Sequence, residues 1–197
     1  MNYKPIETFY AGHRFRSRLE ARYAVLFDSL GIRWEYEGQG FEVVGRPYLP
    51  DFRLLDSGTW VEVKGAETEL DQDLMYWAAL HLPKAMPGFP TLLLLGPVPP
   101  PVSSGYKGWA WMGLGPEYDE DRLVSVHPAH WSLTPAGFPG HPLRRADTSS
   151  APAFWEDDGW LTPCGDMATT VDVSHEHLEL DAYVAARSAR FEHGESG

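Results

Sequence analysis

Apolar positions recur at helical spacing in one early stretch, RSRLEARYAVLFDSLG, where Leu19, Tyr23, Leu26 and Leu30 fall on one stripe and Gly31 supplies the stop. This predicts an amphipathic helix. The period then switches to two. IRWEYE and GFEVV alternate and are rich in aromatic and β-branched residues, and YLPDFRLL and TWVEVKG follow, separated by the turn formers Asp56-Ser57-Gly58. An antiparallel meander is expected. The stretch ELDQDLMYWAALHL reads as a second helix ended by Pro83, and PTLLLLG is a continuous apolar run, as suits a buried strand. GWAWMG and RLVSVHP are candidates for further short strands. From about residue 130 the pattern fades: SLTPAGFPGHPLRRADTSSAPAF has no hydrophobic period and reads as loop. The tail, SHEHLELDAYVAARSARF, reads as a closing helix with Ser174 as N-cap and Arg187 and Arg190 near its C-terminal end.

Composition narrows the class. The 197 residues, 43% hydrophobic and 13% aromatic, suffice for one substantial core. The formal net charge of −12 argues against a surface that wraps polyanions everywhere. It is unevenly spread, because residues 1–66 hold nine Lys or Arg against nine Asp or Glu, whereas the remainder holds seven against nineteen. Polyanion contact is therefore expected on the N-terminal third. A single cysteine, Cys164, rules out an intrachain disulfide framework or a four-cysteine zinc site. No run of about 18 apolar residues suggests a membrane span and the first residues lack a signal-peptide core, so a cytoplasmic location without membrane contact is expected.

Chemistry concentrates in YLPDFRLLDSGTWVEVKG. Alternation puts Trp60, Glu62 and Lys64 on one face and Val61 and Val63 on the other, while Leu49, Asp51, Arg53 and Leu55 share a face on the preceding strand. With Ser57-Gly58 as a two-residue loop, Arg53 would stand opposite Glu62 and Asp51 opposite Lys64, whereas a three-residue loop with a bulge would change that register. Two neighbouring carboxylates repel unless a cation separates them, and hard oxygen ligands suit Mg²⁺ or Mn²⁺. Such an ion polarises phosphoryl oxygens, and an ammonium alongside offsets developing charge, a part Lys64 fits. The alternative is a plain hairpin with solvated ion pairs of about 0.2–1 kcal/mol each.

Pro50-Asp51 followed by Glu62-Val63-Lys64 resembles the signature of the PD-(D/E)XK nucleases, and the helix-strand order is similar to their restriction-endonuclease-like core. The likeness spans roughly residues 8–96. The segments FRSRLEARYAVLFDSLGI, WEYE and YLPDF also resemble uncharacterised nuclease-like proteins of actinobacteria and their phages. The resemblance implies an α/β fold with an α-β-β-β-α-β core, a mixed sheet flanked by helices and an irregular C-terminal extension ending in a helix. It implies metal-dependent phosphodiester hydrolysis with DNA as the expected partner, Asp51 and Glu62 as ligands of Mg²⁺ or Mn²⁺, and Lys64 assisting the attacking water. An acid from the first helix often joins them, which makes Glu20 the candidate third ligand. Ser17-x-x-Glu20 also fits a capping box, although Tyr23, Ala24 and Phe27 surround Glu20 with an apolar, inward face. Gln72 and Tyr76 are similar to the Gln-x-x-x-Tyr motif of RecB-like members, a substrate contact, and an ordinary surface pair is an equal reading.

Arg14, Arg16, Arg18 and Arg22 form a basic cluster with His13 that suits phosphate positioning, or simply a solvated face, with Arg14, Arg18 and Arg22 aligned if the helix begins early. His127-Pro-Ala-His130 is expected in a loop, with no zinc set around it. The acidic run Glu117–Asp121 is expected to be solvated. The expected division is a core over 1–130 and, over 131–197, a loop-rich extension and C-terminal helix packed on it. A catalytically silent binding module of the same fold and a nuclease acting on RNA are the rival readings, and the oligomeric state, a homodimer included, is left open.

Overall fold

The computed structural model describes residues 6–66, 69–86, 90–98 and 181–191 in full, and 112–119, 122–133, 143–145 and 177–180 as backbone. The chain begins with a hairpin, β1 (Thr8–Tyr10) and β2 (His13–Phe15), and runs directly into helix α1 (Arg18–Ser29). Ser17 caps α1, its side chain accepting from the Glu20 N–H. At the far end Gly31 takes φ +68°, and the Ile32 N–H reaches back to Phe27 O at 2.8 Å, closing the helix as the glycine stop predicts.

The expected meander forms with one interruption. Strand β3 (Trp34–Tyr36) pairs antiparallel with β6 (Phe52–Leu54), and β6 with β7 (Trp60–Val63). Between β3 and β6 the chain makes a separate hairpin, β4 (Phe41–Val43) and β5 (Arg46–Tyr48), joined through Val44 and Gly45, both at positive φ as a type I′ turn requires. YLPDFRLL is therefore not one strand. Pro50 offers no N–H to a ladder, and residues 49–51 carry the chain from the small hairpin to the main sheet.

Helix α2 (Gln72–His81), capped by Asp71, crosses from β7 to the parallel strand β8 (Leu92–Leu95). Strands β9 (Met112–Asp119), β10 (Arg122–Leu133) and β11 (Leu143–Arg145) extend the mixed sheet, whose order is β11-β10-β9-β8-β7-β6-β3. Omitting the inserted hairpin, the elements from α1 to β8 run α-β-β-β-α-β. The last described element is helix α3 (His177–Ser188), which packs on α1.

Alternation along β7 and β8 builds a core on each side of the sheet. Val61, Val63, Leu93 and Leu95 join Tyr23, Leu26 and Phe27 of α1 and Tyr183 of α3, whereas Trp60, Leu92 and Leu94 join Met75, Ala78, Ala79 and Leu82 of α2. Each Val, Leu, Phe or Met side chain among them taken from water stabilises the fold by about 1.5–3 kcal/mol. Among the described residues no helix is long and apolar enough to cross a membrane.

Two expectations for the C-terminal half need correction. His127-Pro-Ala-His130 lies within β10, not in a loop. Pro128 stands opposite Leu114 of β9, and β11 pairs with β10 only from Trp131 onward. The sheet also runs past residue 130, because β10 continues to Leu133 and Leu143–Arg145, read as loop, form β11. Glu117–Asp119 likewise belong to β9. Trp109, Cys164, Ser174 and the rest of the loop-rich stretch lie outside the described residues.

Candidate metal-binding and catalytic site

The turn between β6 and β7 sets the geometry. Phe52 pairs with Val61 and Arg53 with Trp60, and Leu55–Gly58 form a four-residue loop closed by Leu54 N–H to Thr59 O at 2.8 Å, with Gly58 at φ +74°. The expected pairing of Arg53 with Glu62 and Asp51 with Lys64 is thus displaced by two residues. Arg53 instead lies over the Trp60 ring, 5.0 Å from its centroid, a cation–π contact. An even displacement preserves the faces, and continuing the register one residue back brings Asp51 level with Glu62.

Asp51 and Glu62 are almost fully buried, with 2% and 5% of their surface exposed. Asp51 Oδ2 accepts the Val63 N–H at 2.7 Å, and its Oδ1 pairs with Arg16 Nη2 at 2.6 Å. Glu62 Oε2 accepts the Tyr48 hydroxyl at 2.9 Å, while Oε1 pairs with Lys64 Nζ at 2.5 Å. Burial, followed by the charges of Glu62 and Glu20, pushes the Asp51 carboxyl up to about 8. Burial opposes the charge on Lys64, but the Glu62 and Asp51 carboxylates outweigh it and raise its pKa. The Tyr48 hydroxyl is raised by burial and then by Glu62, so it stays a hydrogen-bond donor.

Glu20 takes part in the cap of α1 and faces the buried acids as well. It closes a cap with Ser17, whose hydroxyl donates to Oε1 at 2.7 Å, while Oε2 accepts the Tyr36 hydroxyl at 2.6 Å and the Arg16 N–H at 3.1 Å. At 6% exposure it adds to the field felt by Asp51. Among the described residues no three His, Cys, Asp or Glu side chains form a ready-made ion shell. The carboxylates are met instead by Arg16, Lys64, Tyr48 and Tyr36.

Sequence reading placed Arg16 among phosphate contacts, but its guanidinium bridges inward, Nη2 to Asp51 and Nε to Glu37 Oε1, each at 2.6 Å. Burial opposes this charge, but Asp51, the Tyr36 hydroxyl, Glu37 and Glu20 together outweigh it, so the guanidinium pKa is raised. Glu37 sits at φ +46°, an unfavourable conformation for a residue with a Cβ, and its N–H donates to Asp51 O at 2.9 Å. Glu37, Tyr36 and Tyr48 escaped the sequence reading. The signal available was the need of each inward acid for a donor: Tyr36-Glu37 sits in the quoted WEYE, and Tyr48 two residues before Pro50.

The remaining candidates lie apart from this network or at its margin. Arg14 is in β2, not on an early extension of α1, so it does not align with Arg18 and Arg22; it pairs with Glu7. Arg18 is exposed and Arg22 half-buried on α1. Gln72 opens α2, and Tyr76 lies one turn on, its ring edge-on to Trp77 and packed against the core beneath α2. Tyr48 also lines an open cleft of about 500 Å³ with Phe41, Pro47 and Leu49, so the ring that steers Glu62 is one wall of a surface depression.

Comparison with protein-family models, with curated proteins and with solved structures returned no match.

Proposed function

We propose that this chain is a divalent-metal-dependent nuclease with a restriction-endonuclease-like core, hydrolysing phosphodiester bonds in DNA. The observation that carries the reading is the pair of buried carboxylates, Asp51 just before β6 and Glu62 on the neighbouring β7, with the Lys64 ammonium held against Glu62. The α-β-β-β-α-β order of the main sheet and the parallel β7–β8 pair support it.

The donor set fits a hard dication. Two crowded carboxyl groups, one pushed up by burial and by its acidic neighbours, are relieved when a cation of higher charge comes between them. Asp51 and Glu62 would hold Mg²⁺ or Mn²⁺, which when bound polarises a phosphoryl oxygen and makes water easier to deprotonate. The chain's own groups do the rest. The Val63 N–H fixes one oxygen of Asp51, and Tyr48 fixes one oxygen of Glu62, so both present their other oxygens in set directions. Lys64 keeps a positive charge beside the place where negative charge grows on the phosphorus centre. Glu20, anchored by Ser17 and Tyr36, holds Arg16 in place through the backbone and strengthens the local negative field.

The test is incubation of the purified protein with linear, circular and branched DNA, and with RNA in parallel, in Mg²⁺ or Mn²⁺. Asp51→Ala and Lys64→Ala are expected to lower the cleavage rate by about 10²-fold or more. Cleavage undiminished in either variant refutes the assignment, and degradation of RNA alone moves the substrate class.

A further inference from the structure

Arg16 already sits in this protein where a metal ion would, against Asp51 Oδ1. We propose that Arg16 is a displaceable counterion that keeps the carboxylate site closed to a dication until a phosphodiester draws its guanidinium outward, so that metal and nucleic acid bind cooperatively. The inference rests on the metal-site reading above.

Three observations carry it. The guanidinium forms two 2.6 Å ion pairs, with buried Asp51 and with Glu37, and so occupies the electrostatic position a dication would take. Its side chain is nevertheless 56% exposed, whereas that of Asp51 is 2% exposed, so Arg16 can leave for solvent without desolvation cost while Asp51 cannot. Its backbone, finally, is pinned: the Arg16 N–H donates to Glu20 Oε2 and to the Tyr36 hydroxyl, both at 3.1 Å, so exchange of partners needs only side-chain rotation. A guanidinium binds carboxylate and phosphate with the same planar fork of donors, which makes a phosphodiester its natural alternative partner. Arg16 also lies beside Arg14 and Arg18 in the one region where cations are not outnumbered.

Mn²⁺ affinity, read from the electron paramagnetic resonance signal of the free ion at pH 8.5, tests this without reference to activity. Arg16→Gln is expected to bind Mn²⁺ roughly tenfold more tightly than the wild type, Arg16→Lys to stay near the wild type, and Arg33→Gln, which removes the same charge from an exposed position outside this cluster, to change it little. A phosphorothioate DNA duplex, resistant to cleavage, is expected to tighten Mn²⁺ binding by the wild type roughly tenfold and by Arg16→Gln by less than about threefold. Equal affinity in Arg16→Gln and wild type, or a wild type indifferent to the duplex, overturns the inference and leaves the metal-site reading standing. Absence of Mn²⁺ binding in every form overturns both.

Discussion

At the scale of single residues, Asp51 is held between opposing influences. The Val63 N–H and the Arg16 guanidinium favour its charge, while burial and the acids Glu62 and Glu20 oppose it more strongly. Its folded-state pKa of about 8 lies above the ordinary 3.8, so between those values the folded protein binds a proton that the unfolded chain has lost. Stability of the metal-free protein should therefore fall as pH rises from about 4 towards 8. Asp51→Asn keeps the shape and removes the titration. In urea denaturation without metal it is expected to gain on the order of 2 kcal/mol over the wild type at pH 8.5, and little or nothing at pH 4.5. An equal difference at the two pH values contradicts the account of this carboxyl. The acids themselves were legible, because an acid amid alternating apolar residues stands out. Their long-range partners were not: Arg16 meets Asp51, Tyr36 meets Glu20 and Tyr48 meets Glu62 through contacts between segments distant in sequence, which no local pattern records.

Among the elements, the helices and the buried strand were readable because each depends on local rules. The Ser17 cap and Gly31 stop bound α1, the Asp71 cap and Pro83 bound α2, and Leu92-Leu93-Leu94-Leu95 is apolar on both faces because both faces are covered. Register was not readable, since it turns on whether Leu55 and Asp56 belong to a strand or to the loop. Gly58 decides this physically. Its φ of +74° lets the four-residue loop close, and a Cβ there would meet Ala85 Cα at 3.6 Å, an ordinary contact, so the penalty for a side chain is conformational. Gly58→Ala is expected to destabilise the fold by about 1 kcal/mol in urea titration while leaving Mn²⁺ affinity within about twofold, because the pairing on which Asp51 and Glu62 depend is held by β6 and β7. A large loss of Mn²⁺ binding at unchanged stability would show that the loop shapes the site directly.

Across the whole molecule, helices on both faces of a mixed sheet leave the charged cluster where β6 and β7 meet the start of α1. This layering followed from the switch of period along the first hundred residues. Past that point RLVSVHP is legible as a strand, but the end of β10 and the whole of β11 read as loop, because Pro128 and the Pro- and Gly-rich flanks of β11 mask segments whose pairing comes from the sheet edge they join. The central claim is that the molecule brings two buried carboxylates together to hold a hard cation next to an ammonium. Diffraction from crystals of the complex with a phosphorothioate duplex, soaked in Mn²⁺, tests it most directly: an anomalous peak between the carboxyl groups of Asp51 and Glu62, with the Arg16 guanidinium turned away from Asp51, is the predicted result. Such crystals at millimolar Mn²⁺ with no peak there, and with Arg16 still paired to Asp51, would contradict it.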